Sequence, residues 1–409
     1  MKHIVSCHCG LDPQSHEIPD QVRDDRVVVK PAMTYIVYCL FAITLLCVSC
    51  REDYIIYEPE IEETEPDPQP NILGFYLLNE GDMGSNKASL DYYDYDGTYF
   101  RDIFAFANPS VPKEMGDVGN DLKIYGSRLY AVINCSNKID VMDKWTAKKL
   151  GQINIPNCRY IRFHEGYAYV TSYAGPVQIN PNYEQLGYVA KIDTATLQEV
   201  ARCIVGMQPD ELEILDGKIY VANSGGYMSP NYENTVSVID IATFAETERI
   251  EVAVNLHRLR ADSHGKLWVS SRGDYYGASS RLYWIDTQSN RLGGSVDVAA
   301  SNFHLDGDSL YLYSTEFNYE SMTEEVTYGI VDVVKKELVT RNFITDGTEL
   351  SIKTPYGIIV NPLTKDIYVT DARNKVTPGT LYCFDKDGKQ KWNFRTGNIP
   401  AHFVFLEED

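Results

Sequence analysis

From Val221 to Val252 the chain reads VANSGGYMSPNYENTVSVIDIATFAETERIEV. Its apolar and polar positions predict a strand, a long polar loop, a second strand, a tight turn and a third strand. The arrangement recurs. Two strand residues followed by Asp occur as YYD ending at Asp94, VMD at Asp143, KID at Asp193, VID at Asp240, WID at Asp286, IVD at Asp332 and CFD at Asp385, spaced 46 to 53 residues apart. A near-constant period of this length means repeated copies of one unit. The Asp carboxylate can accept backbone amides two residues on, closing the turns in DYDG, DTAT, DIAT, DTQS and DKDG.

An aromatic marks the strand before each long loop: Tyr76, Tyr130, Tyr169, Tyr220, Trp268, Tyr311 and Tyr368. A further strand precedes it, as in ELEIL, RLRA, NFHL and YGIIV. Four short strands per unit match one propeller blade, so the expected fold is an all-β, seven-bladed β-propeller over residues 72–409. The first unit opens at ILGFYLLNEG without an inner strand, and the closing stretch AHFVFLEE has no blade of its own. Supplying that stretch to the first blade closes the ring without exposed strand edges.

In a propeller the loops between second and third strands share a face with the connections between blades. Here they cover residues 79–89, 134–138, 172–188, 223–235, 271–280, 314–328 and 371–380, while turns on the opposite face are tight. Long irregular loops on one side of a rigid scaffold point to binding there. They carry Tyr173, Tyr183, Tyr227, Tyr232, Arg272, Tyr275, Tyr276, Phe317 and Tyr319 among Asn, Ser and Gly. That composition gives rigid amphipathic area with adaptable hydrogen bonding, suited to a large, mostly neutral ligand bearing amides or hydroxyls. The starts of the inner strands bring Asn120, Arg159, Tyr160, Asp210, Glu211, His257, Arg258, Asn302, Tyr356 and His402 to the same mouth. The expected ligand-binding set therefore adds Tyr160, His257, Arg258, Tyr356 and His402 to the loop residues. A hydrolase or lyase using His257, His402 and Glu211 is an alternative, but there is no GxSxG or HExxH motif. No catalytic residue, metal or cofactor is expected.

Composition narrows the partners. The 409 residues are 44% hydrophobic, include 30 tyrosines and carry a formal charge of −21. Such acidity argues against nucleic acid and against an anionic membrane surface. Of nine cysteines, five lie at or before Cys50. Cys135, Cys158, Cys203 and Cys383 show no metal-type spacing; a Cys135–Cys158 bridge is open to them, with buried free thiols the preferred reading.

The first 71 residues differ from the rest. Residues 1–32 contain GLDPQSHEIPDQVRDD, which looks like translated intergenic repeat DNA, and Met33 is the expected start. Residues 34–49 are apolar and uncharged; as a helix they would span about 24 Å, short of a bilayer core of about 30 Å. That is signal-peptide length. The segment 33–50 ends at Cys50, the expected lipidation site, and resembles a bacterial lipoprotein signal. Residues 51–71, including YIIYEPEIEETEPDPQP, are expected to be an acidic, proline-rich tether.

The copy YVANSGGYMSPNYENTVSVIDIAT resembles the repeats of YncE-like propellers, and the resemblance extends over residues 72–409. With the acidic CREDY after the signal, the chain resembles surface propeller lipoproteins of Bacteroidota that capture cobalamin (BtuG-like). The resemblance implies non-enzymatic corrinoid (vitamin B12) binding at the outer membrane, facing the exterior and held there by lipid alone. It also implies delivery to a TonB-dependent outer-membrane transporter. Alternatives are glycan or peptide capture at a nutrient-uptake complex, and a surface-layer or adhesion role.

Overall fold

The computed structural model describes residues 58–275, 277–318 and 323–408. The segments expected to be an upstream extension and a signal, and Cys50, lie outside the described residues. Seven antiparallel sheets form the blades of a β-propeller, six with four strands and one with five. Blades are numbered from the first complete hairpin. Pro400–Glu407 is the inner strand of blade 1, followed by Gly119–Tyr125 in blade 2, Cys158–His164 in blade 3 and Pro209–Leu215 in blade 4. Leu256–Ala261, Asn302–Asp306 and Pro355–Val360 lead blades 5, 6 and 7.

Closure follows the expected route. Pro400–Glu407 pairs antiparallel with Ile72–Asn79, with Phe403 opposite Leu77 and Val404 opposite Tyr76. The two ends of the propeller thus share one sheet, which gives blade 1 its inner strand. Part of the expected tether behaves differently: Glu60–Glu63 is a fifth strand on the outside of blade 1, paired with Thr98–Arg101. Its carboxylates and that of Asp67 find two cations and a backbone donor there. Glu60 bridges to Arg101, Glu62 accepts the Arg395 amide at 3.2 Å, and Asp67 meets Lys391 at 2.8 Å. A stretch read as solvated because it is acidic is held by the basic rim of blades 1 and 7.

Among the described residues the apolar core is divided and does not fill the ring's centre. Each of the seven apolar clusters lies between adjacent blades. Blades 5 and 6 share Trp268, Leu282, Phe303, Leu310, Leu312 and Val331, and blades 7 and 1 share Phe75, Tyr93, Tyr368, Leu381, Phe394 and Phe403. The inner three strands of a blade are therefore buried on both faces, as in Thr235–Asp240. The outermost strands expose one face and alternate, as in Lys149–Asn154. Tyr76, Tyr130, Tyr169, Tyr220, Trp268 and Tyr368 are all at most 2% exposed. Their rings are pillars between blades, which accounts for part of the tyrosine excess.

The periodic Asp closes its turn in all seven blades. Asp143 accepts the amides of Trp145 and Thr146 at 3.1 and 3.0 Å, and Asp332 those of Val334 and Lys335 at 3.0 and 2.8 Å. Blade 6 departs from the expected pattern. Residues 314–328 are not an irregular loop throughout, because Ser309–Asn318 and Thr323–Asp332 run on as one long hairpin. The β-branched Thr315, Thr323, Val326 and Thr327 favour that extension.

Candidate functional site

The mouth is built by a backbone device repeated around the ring. In blade 5, Leu256 pairs with Ser271 and the next partner pair is Leu259 with Val269, so the inner strand bulges at His257 and Arg258. Blade 3 bulges at Arg159 and Tyr160, blade 4 at Asp210 and Glu211, and blade 7 at Tyr356 and Gly357. A bulge re-aims side chains, here toward the ring axis. In blades 3, 5 and 7 the amide it takes out of the ladder is caught by a hydroxyl on the next strand. Tyr160 N–H donates to Thr171 Oγ1 at 3.1 Å, Arg258 N–H to Ser270 Oγ at 3.1 Å, and Gly357 N–H to Thr370 Oγ1 at 2.7 Å.

Arg159, Tyr160, His257, Arg258, Tyr356 and the loops beside them line a cavity of about 470 Å³ at one end of the ring axis. Of the expected ligand-binding residues, Tyr160, Tyr173, Tyr227, His257, Arg258, Arg272, Tyr275 and Tyr356 line it. His402 lines a smaller cavity of about 260 Å³ further along the channel, and its Nε2 lies 3.1 Å from Glu80 Oε1. Tyr183 supports the wall from behind, donating to the Tyr173 carbonyl at 3.1 Å. Tyr232 is not among the lining residues. Tyr276 and Tyr319 lie outside the described residues; Phe317 belongs to the blade 6 hairpin, its side chain likewise outside.

The mouth also contains residues the sequence reading did not select, notably Glu80, Asn134, Tyr313 and Lys375. Tyr313 lies two positions beyond the blade 6 aromatic, on the same strand face, and reads as core. Glu80 immediately follows the second strand of blade 1, where the NEGD turn marks a loop start but not its direction.

Its polar groups are largely engaged with each other. Arg159 donates through Nε and Nη2 to Asp210 Oδ1 at 3.1 and 3.0 Å, and the Tyr173 hydroxyl donates to the same oxygen at 2.9 Å. Asp210 Oδ2 makes no hydrogen bond and lies 3.9 Å from Arg272 Nη1. The Tyr356 hydroxyl donates to Glu80 Oε2 at 2.8 Å; burial and then the Glu80 charge push that phenol well above its usual range. Burial pushes Tyr160 up to about 12, so both remain protonated donors at neutral pH. His257 is driven the other way, by burial and then by the guanidiniums of Arg272, Arg258 and Arg159, and stays neutral.

Below the mouth the channel is filled by a charged plug. Lys123, Arg162 and Arg260 face Asp121, Glu211 and Glu213. Arg162 Nη2 lies 2.7 Å from Glu211 Oε1, Arg260 bridges to the same oxygen, and Glu211 Oε2 accepts the Leu259 amide at 3.0 Å. Burial alone would raise the Glu211 carboxyl, but the charges of Arg260, Arg162 and Arg258 outweigh it and hold it at about 2. The Glu211 of the enzyme alternative is thus an ionised strut between two arginines. Among the described residues no group of His, Cys, Asp or Glu is arranged to hold a metal ion.

Residues 73–406 match the model of a family described as Domain of unknown function (DUF5074). A comparison with curated protein sequences finds no match. Solved structures of similar fold include a quinoprotein alcohol dehydrogenase-like protein from Bacteroides thetaiotaomicron, with 14% identity, a TM-score of 0.56, and coverage of 82% of this chain and 79% of that one. A candidate 6-phosphogluconolactonase from Bacteroides fragilis has 12% identity, a TM-score of 0.56, and coverage of 83% and 100%. Hydrazine synthase from Kuenenia stuttgartiensis has 15% identity, a TM-score of 0.52, and coverage of 66% and 77%. At these identities the likeness concerns the fold alone.

Proposed function

The chain belongs to the DUF5074 family, and from that premise we propose that it is a non-enzymatic capture protein holding a small ligand in the propeller mouth. The observation that carries this reading is the cavity itself. Its 470 Å³ falls within the roughly 300–1,000 Å³ of ligand pockets. Aromatic side chains reach it from blades 3, 4, 5, 6 and 7, and their hydroxyls and the arginines supply directional contacts. The same cavity is poorly equipped for proton transfer. Glu80 is held by Tyr356 and His402, Asp210 by Arg159 and Tyr173, and His257 faces Arg272 at 3.0 Å. General acid–base catalysis needs such a group aimed at a reacting atom.

The ligand we favour is a corrinoid, on the resemblance to cobalamin-capturing surface propellers together with an aromatic rim and a polar floor. A corrinoid exceeds the cavity, so one edge would enter while the rest lies over the rim beside Tyr275, which is 56% exposed. Export through the 33–50 signal, lipidation at Cys50 and delivery to a TonB-dependent transporter complete the proposal. Titration of residues 51–409 with cyanocobalamin, followed by calorimetry, is the test. Saturable one-to-one binding is expected. No binding, alongside affinity for oligosaccharides or peptides, would replace the corrinoid with those ligands; turnover of any of them would overturn the non-enzymatic reading.

A further inference from the structure

Among the described residues no carboxylate lies within ion-pair distance of Arg258, a cation of the mouth. Arg258 is 6% exposed, yet the ion pairs among the described residues use other arginines. Its Nη1 donates to the Tyr160 hydroxyl at 2.9 Å and its guanidinium lies 5.4 Å from that ring's centroid. Its Nε is buried with no partner. A guanidinium carries five N–H donors and keeps its charge at any physiological pH, so burying one without a carboxylate is unfavourable unless something else supplies the charge.

The acids near it are already committed. Asp210 takes Arg159, Glu211 takes Arg162 and Arg260, and Glu80 takes Tyr356 and His402. The neighbouring groups are donors as well. Arg272 Nη2 lies 3.0 Å from His257 Nε2; a guanidinium can only donate, so Nε2 accepts and the imidazole proton sits on Nδ1. That Nδ1 is buried without a partner. The Tyr160 hydroxyl accepts from Arg258 and retains its own hydrogen to give.

Donors from Arg258, Arg272 and Tyr160 thus line one cavity, where the Arg258 Nε has no acceptor. A planar fork beside hydroxyl donors is complementary to a group with several acceptor lone pairs and negative charge. We propose that the mouth seats an oxyanion of the captured ligand, a carboxylate or phosphate group, against Arg258, with Arg272 and Tyr160 completing its contacts. This rests on the reading of the mouth as a ligand site and specifies the chemistry of its floor.

The test is calorimetric titration of residues 51–409 with sodium phosphate and, separately, sodium acetate, at constant ionic strength in a buffer free of other oxyanions. One-site binding of at least one is expected, and the two arms tell a phosphate seat from a carboxylate seat. Arg258→Met should weaken that binding about tenfold or more, since charged hydrogen bonds are lost. Arg258→Lys, which keeps charge but not the fork, should fall between. Should Arg258→Met fail to fold, Arg272→Gln and Tyr160→Phe decide: weaker binding in both supports the seat, unchanged binding in both refutes it. Binding of neither anion to the unaltered protein, or equal binding to a folded Arg258→Met variant, overturns the proposal. Phosphate binding without cyanocobalamin binding would remove the corrinoid and leave the seat. Cyanocobalamin binding unaffected by Arg258→Met would do the reverse.

Discussion

Acid should unlock the channel plug, and Glu211→Gln measures by how much. Glu211 titrates at about 2 in the folded protein against an ordinary 4.5. A folded-state pKa below the unfolded one means that the ionised form stabilises the fold. That contribution is complete above about pH 4.5 and is lost as pH falls toward 2. The difference of about 2.5 units, at about 1.4 kcal/mol per unit, is on the order of 3 kcal/mol. At pH 7 Glu211→Gln leaves Arg162 and Arg260 facing a neutral amide, and breaking a buried pair this way costs about 3–5 kcal/mol. Urea unfolding of both proteins from pH 7 to pH 2.5 gives the comparison. Other carboxylates, Asp121 among them, give both proteins an acid slope, so the informative quantity is their difference. The gap should shrink by most of that 3 kcal/mol between pH 5 and pH 2.5. A gap that stays constant over this range would show that Glu211 is not an ionised strut and that the plug is held together otherwise.

Trp268 is fully buried between blades 5 and 6 and donates from Nε1 to Asp262 Oδ2 at 2.9 Å; Trp268→Ala should cost about 3–5 kcal/mol in denaturant unfolding. Removing residues 400–409 deletes the inner strand of blade 1 and should abolish the cooperative unfolding transition, seen by circular dichroism. At the rim, Tyr275→Ala should weaken cyanocobalamin binding by about 1–3 kcal/mol if the side chain anchors it, with the melting temperature little changed. Among the described residues Cys135, Cys158, Cys203 and Cys383 are free, and Cys135 is the most exposed of them. A thiol reagent should therefore modify Cys135 first in the native propeller and all four only after unfolding.

Much of the ring was legible because propeller blades write the same local physics at each turn. The Asp after the third strand and the aromatic in the second do the same job in successive blades, so their period exposes the fold. The ring's closure followed from a strand missing at one end and spare at the other. What escaped lies in interactions without a local signature. Glu60–Glu63 pairs with Thr98–Arg101, where the Arg101 side chain and the Arg395 backbone amide meet its carboxylates, a convergence no window of sequence contains. The mouth was partly readable, since Arg159, Tyr160, His257 and Arg258 fall at aligned inner-strand starts. Other lining residues were not: Glu80 and Lys375 come from loops whose paths depend on their neighbours. Aligning the hydroxyls Thr171, Ser270 and Thr370 would have revealed the bulges, since a Thr or Ser facing inward at that place in a buried strand calls for a backbone donor.

In blades 3 and 5 the hydroxyl that catches the bulged amide leaves the two displaced side chains with no share in knitting the sheet. Exchanging such a pair in one blade alters what the opening can greet while leaving the wheel's spokes as they were. New guests could be accommodated by changing adjacent letters at fixed intervals along the gene, one spoke at a time.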